Sequence, residues 1–311
     1  MHVRTLKSDT LLLLTSIIWG FAFVAQRVGM NYVGPFVFNG VRFALGSMSL
    51  LPLLLLNRKR GNDSPAPSIK TVIFGGSLAG LALFTGASLQ QIGIIYTTAG
   101  KAGFITGLYV VIVPILGIFL KQRTEIRTWI GAIFAVIGLY FLSITGKFTL
   151  SSSDFQELFG DLLQLIGAFF WAAHVHIIGR FSRKILPIKL AFLQFITCSI
   201  LSLLSAIFFE TTTIQEILQA GIPILYGGVL SVGVAYTLQV VAQRDAHPAH
   251  AAILLSLEAV FAVFGGWIVL GETLSLRGLF GCTLMLAGML VSQFNIKAKH
   301  ITNTRKYWNS S

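Results

Sequence analysis

Two charged side chains stand inside long apolar stretches of this chain, where they could bind a charged ligand. Arg42 is the only charge in the run from Val28 to Asn57. A charge at the centre of a membrane helix costs about 2.5–3.5 kcal/mol, so it is usually retained for a function. A guanidinium group binds a carboxylate through two parallel hydrogen bonds, which makes Arg42 a candidate anion anchor. The alternative is a structural clamp on backbone carbonyl groups at a helix break.

Glu258 is the second charged candidate. Its carboxyl group could bind an ammonium group, or take up and release a proton. Alternatively, it braces neighbouring helices near the external end of the ninth apolar segment. Together, Arg42 and Glu258 would match the two charges of a zwitterion, which leads to an amino-acid hypothesis if both side chains face one cavity.

Uncharged polar and aromatic side chains complete the predicted substrate-binding set. They are Trp19, Gln90, Trp171, His174, Tyr236 and Gln239. His174 lies three residues after Trp171 and therefore shares its helix face. His176 points to the other side, so the two histidines cannot form one metal site. The alternatives are aromatic packing or interface anchoring for the rings, and a hydrogen bond to a neighbouring helix for His174.

The composition requires a membrane around these residues. Of 311 residues, 55% are hydrophobic and only 11% are charged, against roughly 25% charged in soluble domains. About 20 apolar residues form a helix that crosses the hydrocarbon core. The sequence therefore predicts an all-α integral membrane protein with ten transmembrane helices. The predicted spans are 10–30, 35–56, 71–91, 97–120, 127–145, 160–179, 187–209, 217–240, 248–270 and 276–295.

The positions of the basic residues predict the orientation. Most of the 23 Lys and Arg residues fall in segments that share one side of the membrane if the N-terminus is cytoplasmic. The exceptions are Arg27, Arg42, Lys101, Lys147 and Arg277. Both termini are therefore expected in the cytoplasm of a multi-pass cell (inner) membrane protein. The net charge of +12 follows from this topology and does not indicate nucleic-acid binding.

The two halves of the chain repeat each other. Asp9 precedes Trp19 by ten residues, as Asp161 precedes Trp171. Further matched features are Gln90 with Gln239, Ala102–Gly107 with Ala251–Ser256, and Gly131 and Gly138 with Gly281 and Gly288. Because one half holds five predicted spans, the second half must insert upside down, as in many transporters. The predicted units are a five-helix repeat at 8–147, a second at 158–296 and a basic cytoplasmic tail at 297–311.

The order and spacing of several motifs resemble the drug/metabolite transporter superfamily, in particular EamA-type permeases. The motifs are Trp19-Gly20, Arg42 after Phe38, Thr97-Thr98-Ala99 with Ala102 and Pro114, Gly160-Asp161, Trp171-Ala172, the Tyr236/Gln239 pair, and Ser256-Leu257-Glu258 followed by Leu270-Gly271-Glu272. The resemblance implies ten helices and the export or facilitated passage of small metabolites. Ala259 stands where the family often has proline, which predicts a straighter ninth span, and Gln122 stands where it tends to have an acidic residue.

The predicted function is a secondary transporter, exporter or facilitator of small metabolites that works by alternating access between the two repeats, with amino acids as the candidate substrate class. The chain carries no P-loop, zinc-ligand spacing, GxSxG motif or acidic calcium cluster. We therefore expect no catalytic residue, cofactor or metal. The expected partners are a small-molecule substrate and membrane lipids, and a homodimer is left open. The alternative function is an integral-membrane enzyme that modifies lipids. It would need a paired acid and base or a His/Asp constellation near one membrane interface, and none is apparent in the sequence.

Overall fold

The computed structural model describes residues 2–58, 67–122, 124–143, 152–273 and 276–293. Residues 59–66 between the second and third predicted spans, the predicted tail at 297–311 and the C-terminal ends of both predicted repeats lie outside these ranges. The helices are α1 (His2–Gly29), α2 (Pro35–Arg58), α3 (Ile69–Gly93), α4 (Ala99–Gly107), α5 (Tyr109–Phe119), α6 (Ile126–Ser143), α7 (Ser152–Phe181), α8 (Pro187–Phe209), α9 (Ile214–Gln219), α10 (Gly221–Leu225), a π-helical segment (Tyr226–Tyr236), α11 (Thr237–Ala242), α12 (Pro248–Leu255), α13 (Glu258–Leu270) and α14 (Leu276–Gln293).

Eight helical stretches within the described ranges are long and apolar enough to cross a membrane. They are Leu6–Gly29, Pro35–Leu56, Ile69–Gly93, Ala99–Phe119, Phe155–Phe181, Pro187–Phe209, Gly221–Ala242 and Pro248–Leu270. The apolar parts of α6 and α14, at the predicted fifth and tenth spans, are shorter. The all-α membrane architecture is confirmed, and the count of ten spans stays a prediction.

The helices begin where the local sequence allows it. Pro35, Pro187 and Pro248 each occupy the first position of a helix, where the missing N–H group costs no hydrogen bond. Ser68 and Thr98 accept hydrogen bonds from the N–H groups of Thr71 and Lys101 and so cap α3 and α4.

Large apolar side chains cover the outside of the helices, while polar side chains are buried between them. Leu55, Phe74 and Phe208 are 65%, 63% and 79% exposed, whereas Arg42 and Glu258 are 1% and 4% exposed. This is the reverse of a soluble protein and fits a helical bundle that is surrounded by lipid.

Repeated glycines form a contact between the two halves. The α-carbon of Gly138 packs against the carbonyl group of Gly281, and that of Gly288 packs against the carbonyl group of Gly131. α6 and α14 therefore approach each other at backbone distance, which any larger side chain at these positions would prevent.

Two of the eight stretches are interrupted halfway. α4 and α5 are separated at Leu108, whose N–H group bonds the carbonyl of Ile105 at 3.1 Å. α12 and α13 are separated at Ser256 and Leu257, where the Leu257 N–H group bonds Leu254 at 3.3 Å. Each break is thus a tight turn with bonds to the third preceding residue. The ninth span is interrupted although Ala259 replaces the expected proline, so proline is not what breaks it.

Candidate functional site

A cavity lies between the two halves, beside both helix breaks. All eight side chains predicted from the sequence to bind substrate line it, namely Trp19, Arg42, Gln90, Trp171, His174, Tyr236, Gln239 and Glu258. Eight further residues complete the lining, namely Ala22, Phe23, Gln26, Thr106, Tyr109, Val175, Ser231 and Leu255. The space between the lining atoms is about 440 Å³, part of which is open.

Arg42 is buried in this wall without an anionic partner. Its guanidinium carbon lies 5.4 Å from the ring centre of Phe38 and 5.0 Å from that of Phe43. No carboxylate among the described residues lies within 4.0 Å, and the buried Nε has no hydrogen-bond partner there. The described backbone offers it no carbonyl clamp, so the alternative interpretation of Arg42 finds no support in these contacts. A buried cation in this setting is suited to binding an anionic group.

Glu258 is the first residue of α13, directly after the second helix break. It therefore lies in the middle of the span Pro248–Leu270, and its expected place near the external end is wrong. The carboxyl group faces the hydroxyl group of Tyr109, which follows the first helix break. No lysine, arginine or histidine among the described residues lies within 4.0 Å of it. The cavity thus holds a cation and a carboxyl group that do not neutralise each other.

Three aromatic rings line the same cavity as these two groups. The ring centres of Trp19 and Tyr236 are 4.4 Å apart, and those of Trp171 and Tyr236 are 6.2 Å apart in a stacked arrangement. Tyr236 lies within electrostatic range of both Arg42 and Glu258. These rings give the cavity a rigid apolar wall beside its two charged groups.

Amide side chains line the rest of the wall. The Gln90 Nε2 donates to the Thr106 hydroxyl at 3.2 Å, which in turn donates to the Gln164 side chain at 3.2 Å. The Gln164 amide closes the ring by donating to the Gln90 carbonyl at 2.9 Å. Gln239, the counterpart of Gln90, has a buried Oε1 that lacks a partner in the described part of the chain. Gln90 is therefore held in place, whereas Gln239 keeps a free acceptor.

The position of His174 fits both interpretations of the sequence, a cavity lining and a hydrogen bond to a neighbouring helix. It lines the cavity, and its Nε2 lies 2.8 Å from the Gln194 Oε1 on α8. Its ring stands perpendicular to Trp171, with centres 6.1 Å apart. His176 points away from the cavity and contacts the carbonyl group of Val113 at 2.8 Å, as the helix geometry predicted.

Tyr109 and Thr106 line the cavity but were not predicted from the sequence. A signal was present, because Ala102–Gly107 aligns with Ala251–Ser256. Tyr109 stands two residues after the first of these segments, as Glu258 stands two residues after the second. A candidate in one repeat therefore indicates the equivalent position in the other.

A pair of polar side chains lies near each end of α1. Near its first turns, the Asp9 Oδ1 lies 2.9 Å from the His250 Nε2 on α12. At its other end, Arg27 donates to the carbonyl groups of Ile94 and Ile95 at 2.6 Å, just before α4 begins.

The second pair lies at that far end. The Lys101 Nζ of α4 lies 2.6 Å from the Asp161 Oδ2 and 2.7 Å from the Glu157 Oε1, both on α7. In the same place, the Glu272 carboxylate accepts hydrogen bonds from the N–H groups of Ala99 and Gly100 at 3.0 and 3.3 Å.

The comparison with protein families agrees with this architecture. The model of the EamA-like transporter family matches the chain twice, at residues 6–144 and 158–293. The chain belongs to this family. The resemblance noted in the sequence is thereby confirmed, and the protein is a membrane transporter by descent.

Several proteins named as transporters match this chain along most of their length. An uncharacterized transporter of Archaeoglobus fulgidus is 34% identical over 94% of this chain and 88% of its own. The uncharacterized transporter YoaV of Bacillus subtilis is 24% identical over 92% and 96%. The uncharacterized inner membrane transporter YedA of Escherichia coli K12 is 28% identical over 83% and 81%. A solved crystal structure at 19% identity superimposes with a TM-score of 0.70 and covers 92% of this chain and 98% of its own, which shows the shared fold.

Proposed function

We propose that this EamA-like protein transports small zwitterionic metabolites of the amino-acid class. The observation that carries the proposal is the pair of uncompensated groups in one cavity. Arg42 and Glu258 both line it, and neither has an oppositely charged partner within 4.0 Å among the described residues. A substrate carboxylate would bind Arg42, and a substrate ammonium group would bind Glu258.

The cost of burial favours such a ligand. A charge without a partner is expensive in a low-dielectric interior, and an incoming ligand of opposite charge offsets this cost. A purely anionic ligand would leave Glu258 unmatched, and a purely cationic ligand would leave Arg42 unmatched. The apolar rings of Trp19, Trp171 and Tyr236 in the same cavity suit the hydrocarbon part of a small amino acid.

Alternating access between two inverted repeats is the mechanism that we propose for this transport. Two contacts support the inversion. The end of α1 that holds Asp9 lies next to the start of α12. The opposite end of α7, at Gly179, packs against Pro248 at that same place. The equivalent helices α1 and α7 would then cross the membrane in opposite directions, as alternating exposure of one central site requires.

The test is uptake of labelled amino acids into proteoliposomes that contain the purified protein, compared with Arg42→Gln and Glu258→Gln. Charge-assisted hydrogen bonds contribute about 1.5–3 kcal/mol. Each variant should therefore raise the half-saturating concentration at least about tenfold. Met48→Leu is the matched control, because Met48 is exposed on the outside of the same helix as Arg42.

Analogues of the transported amino acid assign each group to its partner. Competition by an amine that lacks the carboxylate should be insensitive to Arg42→Gln but weakened by Glu258→Gln. A carboxylic acid that lacks the amine should show the opposite sensitivity. If no amino acid gives saturable uptake, or if both variants affect all three compounds equally, the zwitterion assignment is wrong.

A further inference from the structure

The Asp9–His250 and Asp161–Lys101 pairs occupy equivalent positions in the two repeats. Asp9 precedes Trp19 by ten residues, and Asp161 precedes Trp171 by the same number. Lys101 is one residue before Ala102, and His250 is one residue before Ala251, at the start of the matched segments. Each pair therefore joins the first helix of one repeat to the fourth span of the other.

The pairs lie at opposite ends of the cavity. Asp9 and Arg27 are separated on α1 by about 27 Å at 1.5 Å per residue. Asp9 contacts His250 directly. Arg27 contacts Ile94 and Ile95, in the turn that leads to Thr97, whose hydroxyl lies 3.4 Å from Asp161. The cavity residue Trp19 stands on α1 between these two ends.

Their surroundings are also alike. The Lys101 and Asp161 side chains are 23% and 20% exposed, and those of His250 and Asp9 are 18% and 19% exposed. Each pair is therefore partly shielded, yet still reached by solvent from its own side. Behind each pair, the fourth span continues to its helix break and then to Tyr109 or Glu258 in the cavity wall.

We propose that Asp9–His250 and Asp161–Lys101 are the two gates of the transport path, and that they open alternately. This inference rests on the proposed alternating-access function. Both pairs bridge the two halves, so neither half can move away from the other at one end without breaking the pair at that end. The helix breaks at Leu108 and at Ser256–Leu257 provide the points about which the outer part of each fourth span can swing.

Glu157 strengthens the second gate. Its carboxylate holds Lys101 together with Asp161, whereas the Asp9–His250 pair has no second carboxylate within 4.0 Å in the described part of the chain. The gate at Asp9 is therefore the weaker of the two, and loss of one of its side chains should open it more readily than the equivalent loss opens the gate at Asp161. Loss of a partly exposed ion pair shifts such an equilibrium about two- to fivefold.

The experiment measures access to the cavity from each side of the membrane. Cys198 and Cys282 are replaced by serine, and Ser231→Cys is introduced in the cavity wall. A membrane-impermeant thiol reagent is then applied to sealed vesicles of each orientation. His250→Gln should raise the labelling rate from the Asp9 side about two- to fivefold and lower it from the other side. Lys101→Gln should do the reverse.

A variant with the two residues of a pair exchanged is the control for misfolding. Asp9→His combined with His250→Asp puts the same two side chains back in contact and should return labelling toward the starting rates from both sides. If His250→Gln and Lys101→Gln change labelling in the same direction, or if neither changes it, the gate assignment is wrong. Labelling needs no substrate, so this result is separate from the zwitterion assignment. Opposite shifts without amino-acid uptake would leave the gates standing and reject only the substrate class.

Discussion

The His174 imidazole lies 2.8 Å from the side-chain oxygen of Gln194, the residue that stands in α8 where Arg42 stands in α2. Arg42 follows Pro35 at the start of α2 by seven residues, and Gln194 follows Pro187 at the start of α8 by the same number. The second repeat thus replaces a buried charge by an amide that a neighbouring histidine holds. Equivalent positions of the two repeats therefore carry different side chains, and the buried positive charge belongs to the first repeat alone.

The hydrogen bond between His174 and Gln194 should show in stability. His174→Phe strands the Gln194 side chain, and Gln194→Leu strands the imidazole, so each should cost about 1–3 kcal/mol. The double variant removes both polar groups and should cost less than the sum of the two. Thermal unfolding in detergent checks this. Strictly additive losses would show that the two side chains do not depend on each other.

Gly20 should not tolerate a methyl group. A β-carbon at this position would lie within van der Waals radii of the Phe261 side chain and 2.8 Å from the Glu258 carbonyl oxygen. Gly20→Ala should therefore push α1 away from α13 and destabilise the protein by about 1–3 kcal/mol. Gly221→Ala is the control, because nothing lies within 4 Å of a β-carbon there. Equal melting temperatures for the two variants would contradict the close approach of α1 and α13.

The candidate site was more accessible to sequence reasoning than the connections around it. Arg42 and Glu258 could be predicted because a charge inside an apolar segment is costly and is usually retained for a function. Both line the cavity. The repeat then indicated Trp19 with Trp171 and Gln90 with Gln239. These inferences depend on local composition and spacing, which the sequence contains directly.

Other features depend on long-range contacts. The contact of Asp9 with His250 joins residues 241 positions apart, and no local sequence pattern predicts it. The Glu210 carboxylate likewise meets α2 only after folding. The break at Ser256 lacks the proline that would have signalled it. Tertiary packing determines these three features, and local helix propensity does not predict them.

Glu210 should fix the start of the helix that carries Arg42. Its two carboxylate oxygens accept hydrogen bonds from the N–H groups of Phe36 and Val37 at 2.7 and 2.8 Å. Glu210→Gln keeps the shape but loses the negative charge at the helix N-terminus, which should cost about 1–2 kcal/mol. Because α2 then loosens around Arg42, the half-saturating substrate concentration should also rise.

Glu216→Gln is the matched control for Glu210. Glu216 lies in the short helix α9, which follows the loop that begins at Glu210. Its carboxylate accepts hydrogen bonds from Thr213 at the start of α9, and the backbone hydrogen bond lowers the pKa of Glu216. This control should leave substrate affinity unchanged. If both variants shift affinity equally, the loop as a whole and not the Glu210 cap supports α2.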